Sequence, residues 1–121
     1  MVEERKVVYD FEKLTVYQES LALVELVYKA TGDFPKEEMF GITSQLRRAV
    51  VSVSLNTAEG KGRFHTKVFI QFLYQSRGSL FETITLIKLS EKLGMLKESV
   101  PLLDKCDMVA IQLSNLIKSL K

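Results

Sequence analysis

The chain has 121 residues, 46% apolar and 26% charged, with one cysteine and a formal net charge of +2. Those totals describe one globular domain able to build its own core, and they exclude a disordered chain and an internal disulfide framework. No stretch approaches the ~18 uninterrupted apolar residues of a membrane span, and the N-terminus lacks the apolar run of a signal peptide. A cytoplasmic protein with no membrane partner is expected.

The first ten residues read as a flexible N-terminal arm, and residues 11–121 as a single bundle domain. Helical spacing begins at Phe11: Leu14, Tyr17, Leu21, Val24 and Tyr28 step by three and four, and Val16, Leu23 and Val27 widen the stripe. Asp10 is the expected N-cap. Gly32, Asp33, Phe34 and Pro35 end this helix, because glycine suits the C-cap and proline cannot continue. A second helix is predicted from Lys36 or Glu37, where Glu37 and Glu38 suit the positive end of the helix dipole, to Gly60 or Gly62.

A third helix is predicted from His65 or Thr66 to Gly94, with Phe69, Phe72, Leu73, Ser76, Leu80, Ile84 and Ile87 along one face. Gly78 interrupts it at a cost of roughly 1 kcal/mol against alanine, which points to a close helix–helix approach at that residue. The fourth helix follows the Met95–Ser99 turn, with Pro101 in its first turn. Its stripe is Cys106, Val109, Ala110, Leu113, Leu116, Ile117 and Leu120. Four long helices with short connections make an all-α, antiparallel up-down-up-down four-helix bundle. Helices two and three, at roughly 25–29 residues, would each span about 37–44 Å.

Within the second helix, Val51 to Asn56 alternates apolar and polar as a half-buried strand would. A wider window resolves it. Met39, Ile42, Leu46, Ala49, Val50 and Val53 keep helical steps through the region, and Gln45, Arg48, Ser52, Asn56, Glu59 and Arg63 gather into one polar stripe. Gly60-Lys61-Gly62-Arg63 lacks both the spacing and the preceding strand of a phosphate-binding loop, and serves as a helix stop and tight turn.

These residues carry a resemblance. Phe34-Pro35 with Glu38 and Phe40-Gly41, Ser44 to Ala49 through Ser52, Asn56 and Ala58-Glu59-Gly60, and Gly78-Ser79 with Glu82 resemble the four-helix bundle proteins encoded in intervening sequences of bacterial 23S rRNA genes. The stretch Phe11 to Leu96 is also similar to accessory proteins of diversity-generating retroelements. The family pattern reads Ser-Ile-Pro-x-Asn-Ile-Ala-Glu-Gly; here Ser54 stands at the proline and Thr57 at the isoleucine, so an expected kink is lost. The resemblance implies an antiparallel bundle assembled as a homopentamer around a central channel, with nucleic-acid binding as its role.

No catalytic constellation or cofactor cradle is visible, and a non-enzyme is expected. Glu59 and Glu82 could pair as carboxylates, but nothing supplies an oxyanion site or metal ligands around them. One histidine and one cysteine cannot make a metal site; His65 reads as a helix-start residue and Cys106 as an inert core thiol. Gln45, Ser52, Asn56 and Glu59 read as a structural polar network that sets helix register or a subunit contact. Val51, Leu55, Ile70, Tyr74 and Phe81 exceed the one wide stripe a monomeric bundle needs, which argues for a homo-oligomer.

Charge is unevenly spread. Residues 1–34 carry four bases against seven acids, net −3, while residues 35–121 carry thirteen against eight, net +5. Arg47, Arg48, Lys61, Arg63, Lys67 and Arg77 are expected to cluster around the junction of helices two and three. Two accounts fit them: solvated surface charge with intrahelix pairs such as Glu59 with Arg63, or a surface for RNA or DNA phosphates that an oligomer multiplies into rings. The aromatics form no stacking platform of the RRM type, so contact dominated by backbone and shape is expected. The competing function is a scaffold or accessory subunit for a protein, such as a reverse-transcriptase-like enzyme.

Overall fold

Four helices make up most of the computed structural model, which describes residues 4–121: α1 Thr15–Thr31, α2 Ile42–Lys61, α3 Thr66–Lys92 and α4 Val100–Leu120. No strand occurs among the described residues, and Val51–Asn56 is helical throughout. The first three residues of the expected arm lie outside the described ones.

Cross-helix bonds fix the directions. Ser20 bonds Ser54, while Thr31, later in α1, bonds Arg47, earlier in α2. Ser52 bonds Ser79 and Thr57 bonds Ser76, again in opposite order. Lys105 of α4 reaches Glu19 of α1, and α4 closes the ring between α1 and α3. Glu91, late in α3, meets Ser99 at the start of α4, while Tyr74, early in α3, meets Lys121 just past its end. Each helix therefore runs against the next in the chain, and the diagonal pairs make no backbone approach.

The core is a single apolar cluster with Leu23, Val27, Val50, Val53, Leu73, Leu80, Ile87, Val109 and Leu113 at its dry centre. The stripes anticipated on α3 and α4 face the core, with Phe72, Ile84, Ala110, Leu116 and Leu120 half-buried at their edges and Thr83, Leu86, Ser90 and Leu102 added to the buried set. On α1 the centre of the buried face is Val16, Ser20, Leu23, Val27 and Thr31. Leu21 and Tyr28, expected at the centre, lie exposed on its flank. Ser20 and Thr31 mislead a pattern drawn from apolar residues alone, because both hydroxyls are bonded inside: Ser20 donates to the Tyr17 carbonyl and Thr31 to that of Val27.

Two helices begin later than their periodicity predicts. Asp10–Lys13 is a 3-10 turn, in which the Tyr9 amide donates to the Glu12 carboxylate at 2.8 Å and the Glu12 amide to the Tyr9 carbonyl at 3.0 Å. Leu14 is then extended, so Asp10 sits within the turn and does not cap α1. Lys36–Glu38 forms a second 3-10 turn, and Gly41 leaves helical space before α2 starts at Ile42. With 20 residues, α2 is about 30 Å long, shorter than expected; α3, with 27, reaches about 40 Å.

Two glycines have clear steric work. A Cβ at Gly60 would sit 2.5 Å from Cβ of Phe72 and 3.1 Å from a ring carbon of Phe69, so α2 and α3 can close here only over a bare backbone. Gly94, at φ 77°, ends α3 in the left-handed conformation, with the Met95 amide donating to Ser90 and the Gly94 amide to Glu91. Gly78 overturns its expectation. It is exposed, and nothing lies within 4 Å of the Cβ it lacks. The close approach within the chain is at Gly60.

Candidate nucleic-acid interface

The α2–α3 seam is built from hydroxyls. Thr57 Oγ1 donates to the Val53 carbonyl at 2.8 Å, and Ser76 Oγ, 2.9 Å from Thr57 Oγ1 and 3.0 Å from the same carbonyl, shares its one proton between those two acceptors. One turn toward the outside, Ser52 Oγ meets Ser79 Oγ at 2.9 Å, and Asn56 Nδ2 donates to both the carbonyl and the hydroxyl of Ser52. Of the four residues anticipated as a polar network, Ser52 and Asn56 are joined. Gln45 and Glu59 are not: both are exposed, and Glu59 pairs instead with Arg63 at 2.8 Å. Gln45 stands with Arg48 and Glu82 around a polar groove of about 350 Å³, whose other walls are Ala49, Ser52 and Ser79.

The six basic residues do not form one cluster. Arg47 and Lys61 are fourteen residues apart on α2, about 21 Å along the axis. Arg47 turns to α1, where its Nε donates to Thr31 Oγ1 at 2.8 Å and its guanidinium lies 4.5 Å from the Tyr28 ring centre. Arg48 faces α3 across the polar groove. Arg77, in the middle of α3, stacks over Phe81 at 5.2 Å. Proximity in sequence misled here, because a helix spends 1.5 Å of length on every residue.

Lys61, Arg63 and Lys67 do gather, at the turn between α2 and α3, and all are exposed. Lys61 lies 5.6 Å from the Phe69 ring centre and Arg63 4.9 Å from that of Phe72, so aromatic faces orient both cations without neutralising them. Glu59 is the one nearby carboxylate on this stretch, and it takes Arg63. The N-terminal turn comes alongside: Tyr9, Asp10 and Phe11 face Glu59, Lys61 and Arg63 across an open groove of about 560 Å³. Tyr9 and Phe11 stack in parallel, 5.9 Å between centres. On α3, the Lys121 ammonium from the end of α4 donates to Tyr74 Oη at 3.0 Å and holds the phenol below its ordinary pKa, by that bond and by its charge.

The tip of this turn carries Phe64 and His65. Phe64 is 94% exposed and meets the His65 ring edge to face at 5.0 Å. His65 occupies the N-cap position of α3 with extended backbone. Periodicity passed over Phe64 because it belongs to no helical stripe; the available signal was a lone aromatic amid Lys61, Arg63 and Lys67. Ser76 stands on the α3 face where periodicity placed it, but the bonding roles of Ser20, Ser54, Thr57 and Ser79 were missed, these being small hydroxyls within apolar faces.

Cys106 is buried in α4, and burial pushes its thiol up to about 12. Among the described residues no group of three His, Cys, Asp or Glu side chains is placed to hold a metal ion, and no helix is long and apolar enough to cross a membrane. Residues 12–115 match the family described as 23S rRNA-intervening sequence protein, a span that covers all of α1, α2 and α3 and most of α4. No curated protein matches the chain.

Proposed function

Because the chain belongs to the 23S rRNA-intervening sequence protein family, we propose that it is a non-enzymatic nucleic-acid-binding bundle whose α2–α3 end grips the phosphate backbone, with RNA as the expected partner. One observation carries this: Lys61, Arg63 and Lys67 are all exposed at one turn, where Glu59 pairs with Arg63 and Asp10 lies across the adjoining groove. Exposed cations held in place bind phosphates without reading sequence, and their binding weakens steeply with salt. Arg47 has no part in this contact, since its guanidinium is engaged with Thr31 and Tyr28. Filter binding of RNA and DNA at rising salt tests the proposal. Micromolar affinity at low ionic strength, lost when Lys61, Arg63 and Lys67 are all changed to alanine, is the expected result. Absence of binding at low salt, or a triple variant that binds as well as the parent, overturns it.

A second reading concerns assembly and rests on a different observation. Leu55, 62% exposed, lines an apolar groove with Phe11, Tyr17, Leu21 and Val24 on the α1–α2 side, while Phe81 and Tyr74 are exposed on α3, where Tyr74 borders the end of α4. We propose that copies of the chain associate through these surfaces, as the homopentamer implied by the resemblance requires. Two distinct apolar patches suit head-to-tail contacts, which close into rings. Gly78, beside them on α3, leaves room for a neighbouring backbone. Light scattering reads the outcome: a monomer at micromolar concentration sinks this assembly. Recovery of an unrelated protein after nuclease treatment, with no affinity for nucleic acid, would favour the scaffold role instead.

A further inference from the structure

We infer that the tip between α2 and α3 is a base-stacking site, in which the Phe64 ring, backed by His65, takes the face of an unpaired base while Lys61, Arg63 and Lys67 hold the adjoining phosphates. The inference rests on the proposed nucleic-acid role and makes it specific: the partner is single-stranded, a loop, an end or an extended strand.

Phe64 has no structural duty that explains its place. It is 94% exposed, lies outside both helices and belongs neither to the buried cluster nor to the half-buried residues packed against it. Its aromatic neighbour is His65, which meets it edge to face at 5.0 Å and so limits how the ring can turn. A flat apolar face held out among cations is what a nucleotide needs, with a π-surface for the base and charge for the phosphate. A paired base inside a duplex has both faces covered, so this face is usable only for unstacked nucleotides.

A comparison within the chain sharpens the point. Phe40, at the opposite end of α2, is 95% exposed and equally outside the core. Its surroundings in the chain are Glu37 and Glu38 with Lys36, an unfavourable setting for phosphate. Exposure alone therefore does not mark the site; exposure together with the cations does. The strand has a natural onward path. From the tip, the groove between Lys61 and Arg63 on one side and Tyr9 and Phe11 on the other offers a second ring, with Tyr9 half exposed and stacked on Phe11. Asp10 and Glu59 also line that groove, so the phosphates are expected to follow its Lys61–Arg63 side.

The test uses the full chain, a short single-stranded RNA carrying one fluorescent aminopurine, and a duplex of the same length. Stacking on Phe64 predicts quenching of the aminopurine on binding. Phe64→Ala should weaken single-strand binding at least about fivefold, the lower end for one base–aromatic stack. The same variant should leave duplex binding unchanged, and Phe64→Tyr should restore the quenching. Phe40→Ala should match the parent throughout. If the parent binds RNA but Phe64→Ala binds single strands equally well, stacking is overturned and the phosphate contact stands. If the parent binds neither probe at low salt, the nucleic-acid role itself has failed. A change of molar mass in Phe64→Ala would identify the ring as a contact between copies and also overturn the inference.

Discussion

Ser54 donates its hydroxyl to Ser20 across the α1–α2 seam at 2.8 Å, because the Ser20 proton is already committed to the Tyr17 carbonyl at 2.7 Å. Ser54 is thus a buried donor aimed at the neighbouring helix. The two serines are not equivalent. Ser20→Ala strips Ser54 of its acceptor and should cost about 1–3 kcal/mol, the price of an unpaired buried group. Ser54→Ala leaves Ser20 still bonded to Tyr17 and should cost about 0.5–1.5 kcal/mol. Urea unfolding of both variants checks the order, and equal losses would refute the donor assignment.

Substitutions at the two helical glycines should move stability in opposite directions. Gly60→Ala drives a methyl into Phe72 Cβ, 2.5 Å away, and overpacking of this kind costs roughly 1–3 kcal/mol. Gly78→Ala meets nothing within 4 Å and should gain up to about 1 kcal/mol of helix propensity. Thermal melts measure both. Should Gly78→Ala also reduce the molar mass in light scattering, the missing Cβ matters between copies and not within one.

Removing the charge of Glu59 should tighten binding. Its carboxylate holds Arg63 at 2.8 Å in a half-exposed pair, so Glu59→Gln frees the guanidinium for phosphate. A surface pair of this kind is worth up to about 1 kcal/mol, which sets the gain at no more than about fivefold. The logarithm of affinity for single strands should fall with that of salt at a slope near −2 for three phosphate contacts, and Lys67→Ala should make it shallower by about 0.7. Weaker binding by Glu59→Gln would argue for a direct role of that carboxylate.

The Cys106 thiol should resist alkylation in the native protein and react only as fast as the chain unfolds. Burial raises its folded pKa to about 12 from 9.0. The sign follows from proton linkage: above pH 9 the unfolded thiol ionises while the folded one keeps its proton. Its contribution is complete below pH 9 and is lost as pH rises toward 12, at up to ~1.4 kcal/mol per unit. Stability of Cys106→Ala, compared with the parent across that window, should lack this component of the slope.

Much of the architecture was legible in the sequence. Apolar steps of three and four found all four helices and carried α2 through Val51–Asn56, because burial repeats with the helical period whatever the local propensity. The starts of α3 at Thr66 and of α4 at Val100 were legible, from the turn after Gly62 and from Pro101. The beginnings of α1 and α2 depend on a side-chain bond at Glu12 and on the backbone of Gly41, neither of which leaves a periodic trace. Residue type named the cations but not their positions: Arg47 shares its helix with Lys61 yet serves the fold, and distance along the axis separates them. Phe64 needed the three-dimensional turn before its isolation had meaning.

The helices are joined chiefly by neutral contacts. Ser20–Ser54, Ser52–Ser79 and Thr57–Ser76 are pairs of uncharged hydroxyls, and among the described residues Lys105–Glu19 is the one ion pair between helices. The cations proposed to meet a polyanion touch α3 only through aromatic faces, and the hydroxyl bonds between helices use other atoms. Ionic strength can act on one without the other: salt that strips a nucleic acid from the α2–α3 end should leave the melting temperature almost where it was.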